Sequence, residues 1–369
     1  MVARLVFILL PAMALAQNPR EAQALEARGD WPGAEAQWRA LTRSEPGDYR
    51  YWTSLGAAIA HQGRYGDAIE AYRKALSLHP HAVEAELNLG IAYFKSGELE
   101  KAIPPLQDVT VQSPSNTQAG LILGMSLYGT GKYAEASPFL ERAQAADPQN
   151  RELAFVLAQT HLWAGAYEKA KREFQAMLER EPNSPQVHML LGEVYDGLAK
   201  TDQAIAEFRL AASSGSVPDA HLALGYMLWK TRQYEQAVPE FEKELAADPR
   251  YYKALAYLGD CELALERSPA KSHLQDAASL HDVLWITRFD LGKLEENAGH
   301  PQAAIAQYRR AIELGGERPE PHYRLAKLLK AQGDEEGARA EFALVERLHE
   351  RSLNDEVRKF TGGPGPAHR

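Results

Sequence analysis

The groups in this 369-residue chain with which a protein could hold a metal, move a proton or form a covalent intermediate are twelve histidines, one cysteine and 50 acidic residues. Their spacing does not assemble a known chemistry. No His-Glu-x-x-His sequence is present, so the two-imidazole helix face of a zinc hydrolase is missing. His79-Pro80-His81 offers two imidazoles in one turn, but no carboxylate pair stands at ligand spacing beside them. His188, His221 and His322 share one register position, which Trp52 fills earlier in the chain. That position is read as packing, so these are core or boundary histidines rather than ligands. Gly129-Thr130-Gly131-Lys132 matches a phosphate loop only in its last residues. No glycine stands five residues before Gly131, and Tyr133 replaces the required hydroxyl. A nucleophile elbow is likewise missing. Cys261, the one cysteine, makes neither an intramolecular disulfide nor a zinc site and reads as a small buried apolar residue. No catalytic residue, metal or cofactor is expected. A formal charge of −9 without a basic run excludes nucleic acid as a partner class.

The elements that would position any site are short amphipathic helices. In 49–82, Trp52, Leu55 and Ile59 form one helical stripe, Gly63 breaks it, Ala68, Tyr72 and Ala75 form a second, and Pro80 ends it. Neither helix can bury its stripe alone. The small residue of the second helix recurs at Ala34, Ala68, Ala102, Ala136, Ala170, Ala204, Ala237, Ala270, Ala304 and Ala338, in steps of 33 or 34. A bulky apolar side chain follows four residues after each, from Trp38 and Tyr72 to Phe342. A small residue also recurs in the first helix, from Gly56 to Ala326. A period this strict is the mark of a repeat architecture.

Trp52, Leu55, Gly56, Gly63, Tyr65, Ala68, Tyr72, Ala75 and Pro80 together resemble the tetratricopeptide repeat, and the resemblance runs from about Asn18 to Glu350. It implies an all-α fold, a right-handed superhelical solenoid of about ten stacked helix-turn-helix units. The repeats are placed near 17–48, 49–82, 83–116, 117–150, 151–184, 185–217, 218–251, 252–284, 285–318 and 319–350. A solenoid escapes the usual domain-size limit because each repeat touches only its neighbours. The repeats use up the chain, leaving no room for a catalytic domain.

The ends are read separately. Residues 1–16 carry a positive start at Arg4, an apolar run from Leu5 to Leu10, and Ala14-Leu15-Ala16, a small-residue signal for cleavage before Gln17. The apolar stretch is too short to span a bilayer. An exported protein of the bacterial periplasm or the medium is expected, with no transmembrane segment after cleavage. Asn18-Pro19 then starts the first helix. Pro104, Pro138 and Pro239 are read as helix-boundary markers. Leu353, Val357 and Phe360 predict a C-terminal capping helix over 351–360, followed by a disordered tail at 361–369. The turns at 212–218 and 266–269 are each one residue short, and Glu244 stands where other repeats are apolar. Locally altered twist and lower stability are expected over 213–282, read either as a hinge or, in preference, as drift in a repeat that still packs.

Function is expected on the face that the first helices leave free. In the resembled family these helices line the concave side. Register places there Leu121, Met125 and Tyr128; Phe155, Gln159, Leu162 and Trp163; Met189, Glu193 and Asp196; and Leu222, Tyr226, Trp229 and Lys230. Aromatic and long apolar side chains at such positions mark a contact site. The leading expectation is a non-enzymatic scaffold of the cell envelope that takes a partner's helix or extended peptide in this groove. The alternative is a binding module for a glycan or lipid, with Gln159, Glu193 and Asp196 supplying hydrogen bonds. The charged clamp by which some family members hold acidic chaperone tails is not carried over. Asn88 matches its middle residue, but Thr53, Ala57, Gln118 and Ile122 replace the others.

Overall fold

A computed structural model of the chain describes residues 18–280 and 283–361. The expected leader at 1–16 lies outside them, as does the tail beyond Thr361. The described residues form twenty α-helices and no strand.

Each expected repeat holds one antiparallel pair. The first five are α1 (Pro19–Ala27) with α2 (Trp31–Ser44), α3 (Tyr49–Ala60) with α4 (Tyr65–Leu78), α5 (Val83–Lys95) with α6 (Leu99–Gln112), α7 (Thr117–Gly129) with α8 (Tyr133–Ala146), and α9 (Arg151–Trp163) with α10 (Tyr167–Leu178). The next five are α11 (Pro185–Gly197) with α12 (Thr201–Ser213), α13 (Ala220–Lys230) with α14 (Tyr234–Ala247), α15 (Tyr252–Ala264) with α16 (Ala270–Ser279), α17 (Trp285–Asn297) with α18 (Pro301–Gly315), and α19 (Pro319–Ala331) with α20 (Glu335–Thr361). The chain forms two compact units, one through Phe174 and one from Gln175.

The repeat residues are those that build the core. The recurring alanines from Ala34 to Ala338 are all buried, and so are the bulky residues four positions on, from Trp38 to Tyr308. Each such aromatic or leucine gains roughly 1.5–3 kcal/mol from burial. Phe342, in the last repeat, is only half-buried. Helix starts follow their sequence signals. Asn18 accepts from the Arg20 amide at 3.0 Å, and Asn116 and Asn150 cap α7 and α9 in the same way at 3.0 Å.

The turn inside each pair places one residue in the left-handed region. Gly63 (φ 76°) does this at no steric cost, whereas Ala199, Arg232 and Glu266 hold φ of 55°, 59° and 54° at the same register. Each of these three side chains costs on the order of 1 kcal/mol relative to glycine.

Three expectations need correction. Pro104, Pro138 and Pro239 lie inside α6, α8 and α14, not at their boundaries. Each is the sixth helical residue and exposed, so the carbonyl it leaves free, four residues back, is on the solvent side. The C-terminal helix does not begin at 351, because α20 runs unbroken from Glu335 to Thr361. No glycine or proline stands between Gly337 and Thr361 to stop it. Glu244 is no misfit. Its carboxylate accepts the Leu222 amide at 3.0 Å. The shortened turn before α13 leaves Asp219 at φ 60° without a side-chain cap bond, and Glu244 reaches across to replace it.

Candidate functional site

In the first unit the expected surface residues come from α7 and α9. Leu121, Met125 and Tyr128 fall on one stripe of α7 and are half-buried against the core. The Tyr128 hydroxyl donates to Oε1 of Gln159 at 2.9 Å, which fixes the ring over α9. Its ring lies 5.7 Å from Trp163 and 5.8 Å from Tyr133, and Tyr133 lies 5.1 Å from Trp163. Phe155 packs its edge on Phe174 at 6.3 Å. Trp163, the last residue of α9, keeps 42% of its surface exposed. Leu162, one residue earlier, keeps 5% and belongs to the core instead. Adjacent helical positions point about 100° apart, so only one of the two can face outward.

In the second unit α11 offers Met189 and Glu193, both half-buried. Burial pushes the Glu193 carboxyl above its ordinary range. On α13, Leu222 is buried at 9% and leaves the surface set, while Tyr226 and Trp229 remain half-buried. Lys230 reaches back to Oδ1 of Asp196 at 2.8 Å. Two of the three hydrogen-bonding groups assigned to a glycan, Gln159 and Asp196, are thus already bonded within the chain.

Tyr226 and Trp229 do not stand alone. Tyr257 of α15 lies 5.3 Å from Tyr226 and 4.7 Å from Trp229, and burial pushes its phenol up to about 12. The indole N–H of Trp229 donates to Oδ2 of Asp260 at 2.6 Å. Behind it Asp290 is fully buried and takes a bond from Lys293 at 2.7 Å. Burial, then the neighbouring Asp260, hold the Asp290 carboxyl far above its ordinary range. In front of Trp229 a cavity of about 450 Å³ opens, bounded also by Trp285, Arg232 and Arg318. The Arg318 guanidinium sits 5.4 Å above the Trp285 ring.

The histidines fall as packing groups. Trp52 donates its indole N–H to the Pro46 carbonyl at 3.0 Å. His188 sets Nε2 3.0 Å from the Pro182 carbonyl, and His322 sets Nε2 3.4 Å from that of Gly316. The same turn is held each time, by indole or imidazole. On its other side Nδ1 meets a second-helix glutamate, Glu207 at 2.6 Å for His188 and Glu341 at 2.5 Å for His322. His221 meets Glu240 in the same way at 2.6 Å.

The reading of His81 changes. The fold brings Glu86 and Asp108 to it, with one ligand atom of each within 4.8 Å of the others. Asp108 stands on the neighbouring second helix, so sequence spacing does not show it. Glu86 is buried and already accepts from Gln112 at 2.7 Å, while its other oxygen lies 3.5 Å from Nδ1 of His81.

Tetratricopeptide repeat family patterns match residues 20–83, 62–117, 127–194, 222–270 and 289–351. The chain belongs to the tetratricopeptide repeat family. The peroxisomal targeting signal receptors of Kluyveromyces lactis and Candida albicans are 43% and 41% identical over 54 residues. Those stretches are 15% of this chain and 10% and 9% of the receptors, so the chain matches about a tenth of their length. Among solved structures, a tetratricopeptide repeat protein from Parabacteroides merdae is 20% identical with a TM-score of 0.38, covering 66% of this chain and 96% of that one. MamA of AMB-1 is 25% identical with a TM-score of 0.38, covering 45% and 98%.

As a class, tetratricopeptide repeats mediate protein–protein interaction. At the place of the chaperone-tail clamp this family member has a cavity of about 310 Å³ lined by Ala57, Asn88, Ile91, Lys95 and Gln118. One cation and two amides are a weaker charge set than a clamp for acidic tails requires. No helix among the described residues is long and apolar enough to cross a membrane.

Four residues around Trp229 were not read from the sequence. Tyr257 and Trp285 lie outside the free-face register, and Arg318 lies in the turn before α19. Arg232 did leave a signal, since it replaces the glycine of the turn.

Proposed function

We propose that this protein is an exported, non-enzymatic scaffold of the cell envelope that binds an apolar segment of a partner protein, helical or extended, on the first-helix face of its N-terminal unit. The observation that carries the reading is Trp163, 42% exposed at the end of α9 and backed by Tyr128 and Tyr133. An indole this open, held rigid by neighbouring rings, loses little conformational freedom on binding and buries a large area. Met125 and Leu121 on α7 continue the surface with flexible apolar groups.

The test is site-specific photocrosslinking in the native host. A photoreactive residue at position 163 is expected to capture one discrete protein. The same residue at Val111, 79% exposed on the second helix α6, is expected to capture none. Equal capture at both positions, or none at 163, would sink the proposal. Export is tested separately: mature protein from the periplasm or medium should begin at Gln17, and an intact Met1 in the cytosol would refute it.

A further inference from the structure

The cavity in front of Trp229 differs in chemistry from the apolar surface around Trp163. Its walls are aromatic on several sides, with Tyr226, Trp229, Tyr257 and Trp285 lining about 450 Å³. Its charged lining is cationic: Lys230, Arg232 and Arg318, with no acidic residue among the lining groups. Lys230 is neutralised by Asp196 at 2.8 Å. Arg232 and Arg318 have no carboxylate partner among the described residues, and Arg318 is held by its ring contact with Trp285. The phenol hydroxyls of Tyr226, Tyr234 and Tyr257 also make no hydrogen bond among the described residues.

The unmet capacity of the site is therefore two guanidinium forks and three hydroxyls, set among ring faces. Guanidinium pairs best with a carboxylate or a phosphate, two bonds at a time. A peptide backbone could donate to the phenol oxygens, but it carries no anion to meet the two arginines. A sugar ring has what the site lacks. Its C–H face packs on an indole or phenol ring, its hydroxyls exchange bonds with phenols, and an acidic substituent meets the arginines. Arg232 adds a second, independent observation. It stands in the left-handed conformation (φ 59°) that Gly63 and most equivalent turns fill with glycine, and so delivers a guanidinium to the cavity from a strained position.

We propose that this pocket binds an acidic saccharide, with a uronate carboxylate on Arg232 and Arg318 and the ring face on the Trp229–Tyr257 aromatic wall. The site is separate in residues from the partner surface proposed above, so either can fail without the other.

The experiment titrates the purified mature chain with trigalacturonic acid, following tryptophan fluorescence and heat. Saturable binding is expected, weakened at least tenfold in Arg318→Gln and in Trp229→Ala, and unchanged in Trp163→Ala. Arg232→Gly is the decisive variant, because it restores the residue the turn prefers. It should keep or raise the melting temperature while losing at least tenfold in affinity. Methyl-esterified trigalacturonate tests the charge, and a polygalacturonate chain tests whether a polymer end or an internal stretch enters. Equal binding of the ester, no binding of the acid at millimolar concentration, or unchanged affinity in Arg232→Gly would overturn the proposal. Tighter binding of indole-3-acetate, of an acidic tripeptide or of anionic lipid vesicles than of the saccharide would overturn it too.

Discussion

Gly56 and Tyr72 approach so closely that a Cβ on Gly56 would lie 2.5 Å from Cε1 of the tyrosine ring. The same contact recurs between Gly90 and Leu106, Gly124 and Leu140, Gly192 and Phe208, Gly225 and Phe241, Gly259 and Leu274, and Gly292 and Tyr308, at 2.5–2.8 Å. In these seven pairs the first helix has no side chain at this point, and the second helix fills the space with a bulky apolar one. This lock sets the approach of the two helices and hence the face that each first helix leaves open.

Replacing the glycine should therefore loosen the pair. Gly56→Ala is expected to destabilise the protein by about 1–3 kcal/mol, because the Tyr72 ring must shift within a filled core. Gly120→Ala is the control, since its nearest neighbour would be Phe139 Cδ1 at 4.0 Å. There alanine should be neutral or stabilise by about 0.4–1 kcal/mol. Urea unfolding midpoints read both, and equal midpoints for the two variants would contradict the lock.

The cap that Glu244 provides to α13 should be measurable locally. Glu244→Ala leaves the Leu222 amide without its acceptor, at a cost of about 0.5–2 kcal/mol. Hydrogen exchange should quicken in the first turn of α13. Glu242→Ala, an exposed position on the same helix, should leave exchange unchanged. The same measurement separates a hinge from mere drift of the repeat, since a hinge requires exchange over residues 213–280 to exceed that of the 49–184 repeats.

His161 gives the stability a pH dependence. Its Nδ1 lies 2.8 Å from Glu173 and its Nε2 3.0 Å from Glu141 and 3.1 Å from the Ser137 hydroxyl. Lys169 holds Glu141 from the other side at 2.7 Å. Burial alone lowers the imidazole pKa, but the two carboxylates outweigh it, and the net shift is upward. The folded value then exceeds the unfolded one of about 6.5. The stabilisation is complete below about 6.5 and is lost as pH rises through the raised value. Melting temperatures from pH 6 to 9 should fall more in the wild type than in His161→Gln, and parallel curves would exclude the effect.

Cys261 should be inert in the native chain. Its side chain is fully buried, and burial pushes the thiol far above its ordinary value. A disulfide reagent is expected to titrate no thiol in buffer and one per chain in concentrated guanidinium. Rapid native labelling would show that α15 opens.

Much of this fold is written in the residues one after another. Ala68 and Tyr72, and Gly56 before them, recur every 33 or 34 positions because each repeat solves the same local packing problem against its neighbours. A contact that spans one turn leaves a periodic trace, so the helix pairs and the recurring small and bulky residues were legible, while the close approach between them was seen only in the fold. The tetratricopeptide resemblance rested on the same trace.

Which side chains stay open was not periodic, and tertiary structure decided it. Leu162 and Trp163 are neighbours in sequence, yet one is core and the other surface, because the rotation of α9 between its flanking helices selects one direction. Glu244 breaks the apolar pattern, and only the fold shows the Leu222 amide it serves. His81 meets Asp108, and Trp229 meets Tyr257, across a neighbouring repeat. Arg232 and Arg318 stand in turns 86 positions apart and line one cavity through stacked helices. The sequence by itself determined the repeating interval and the residues that fill it, because those forces act within a repeat and its neighbour. The gathering of rings and cations at one place came from the angles at which successive pairs stack, which no single stretch of sequence encodes.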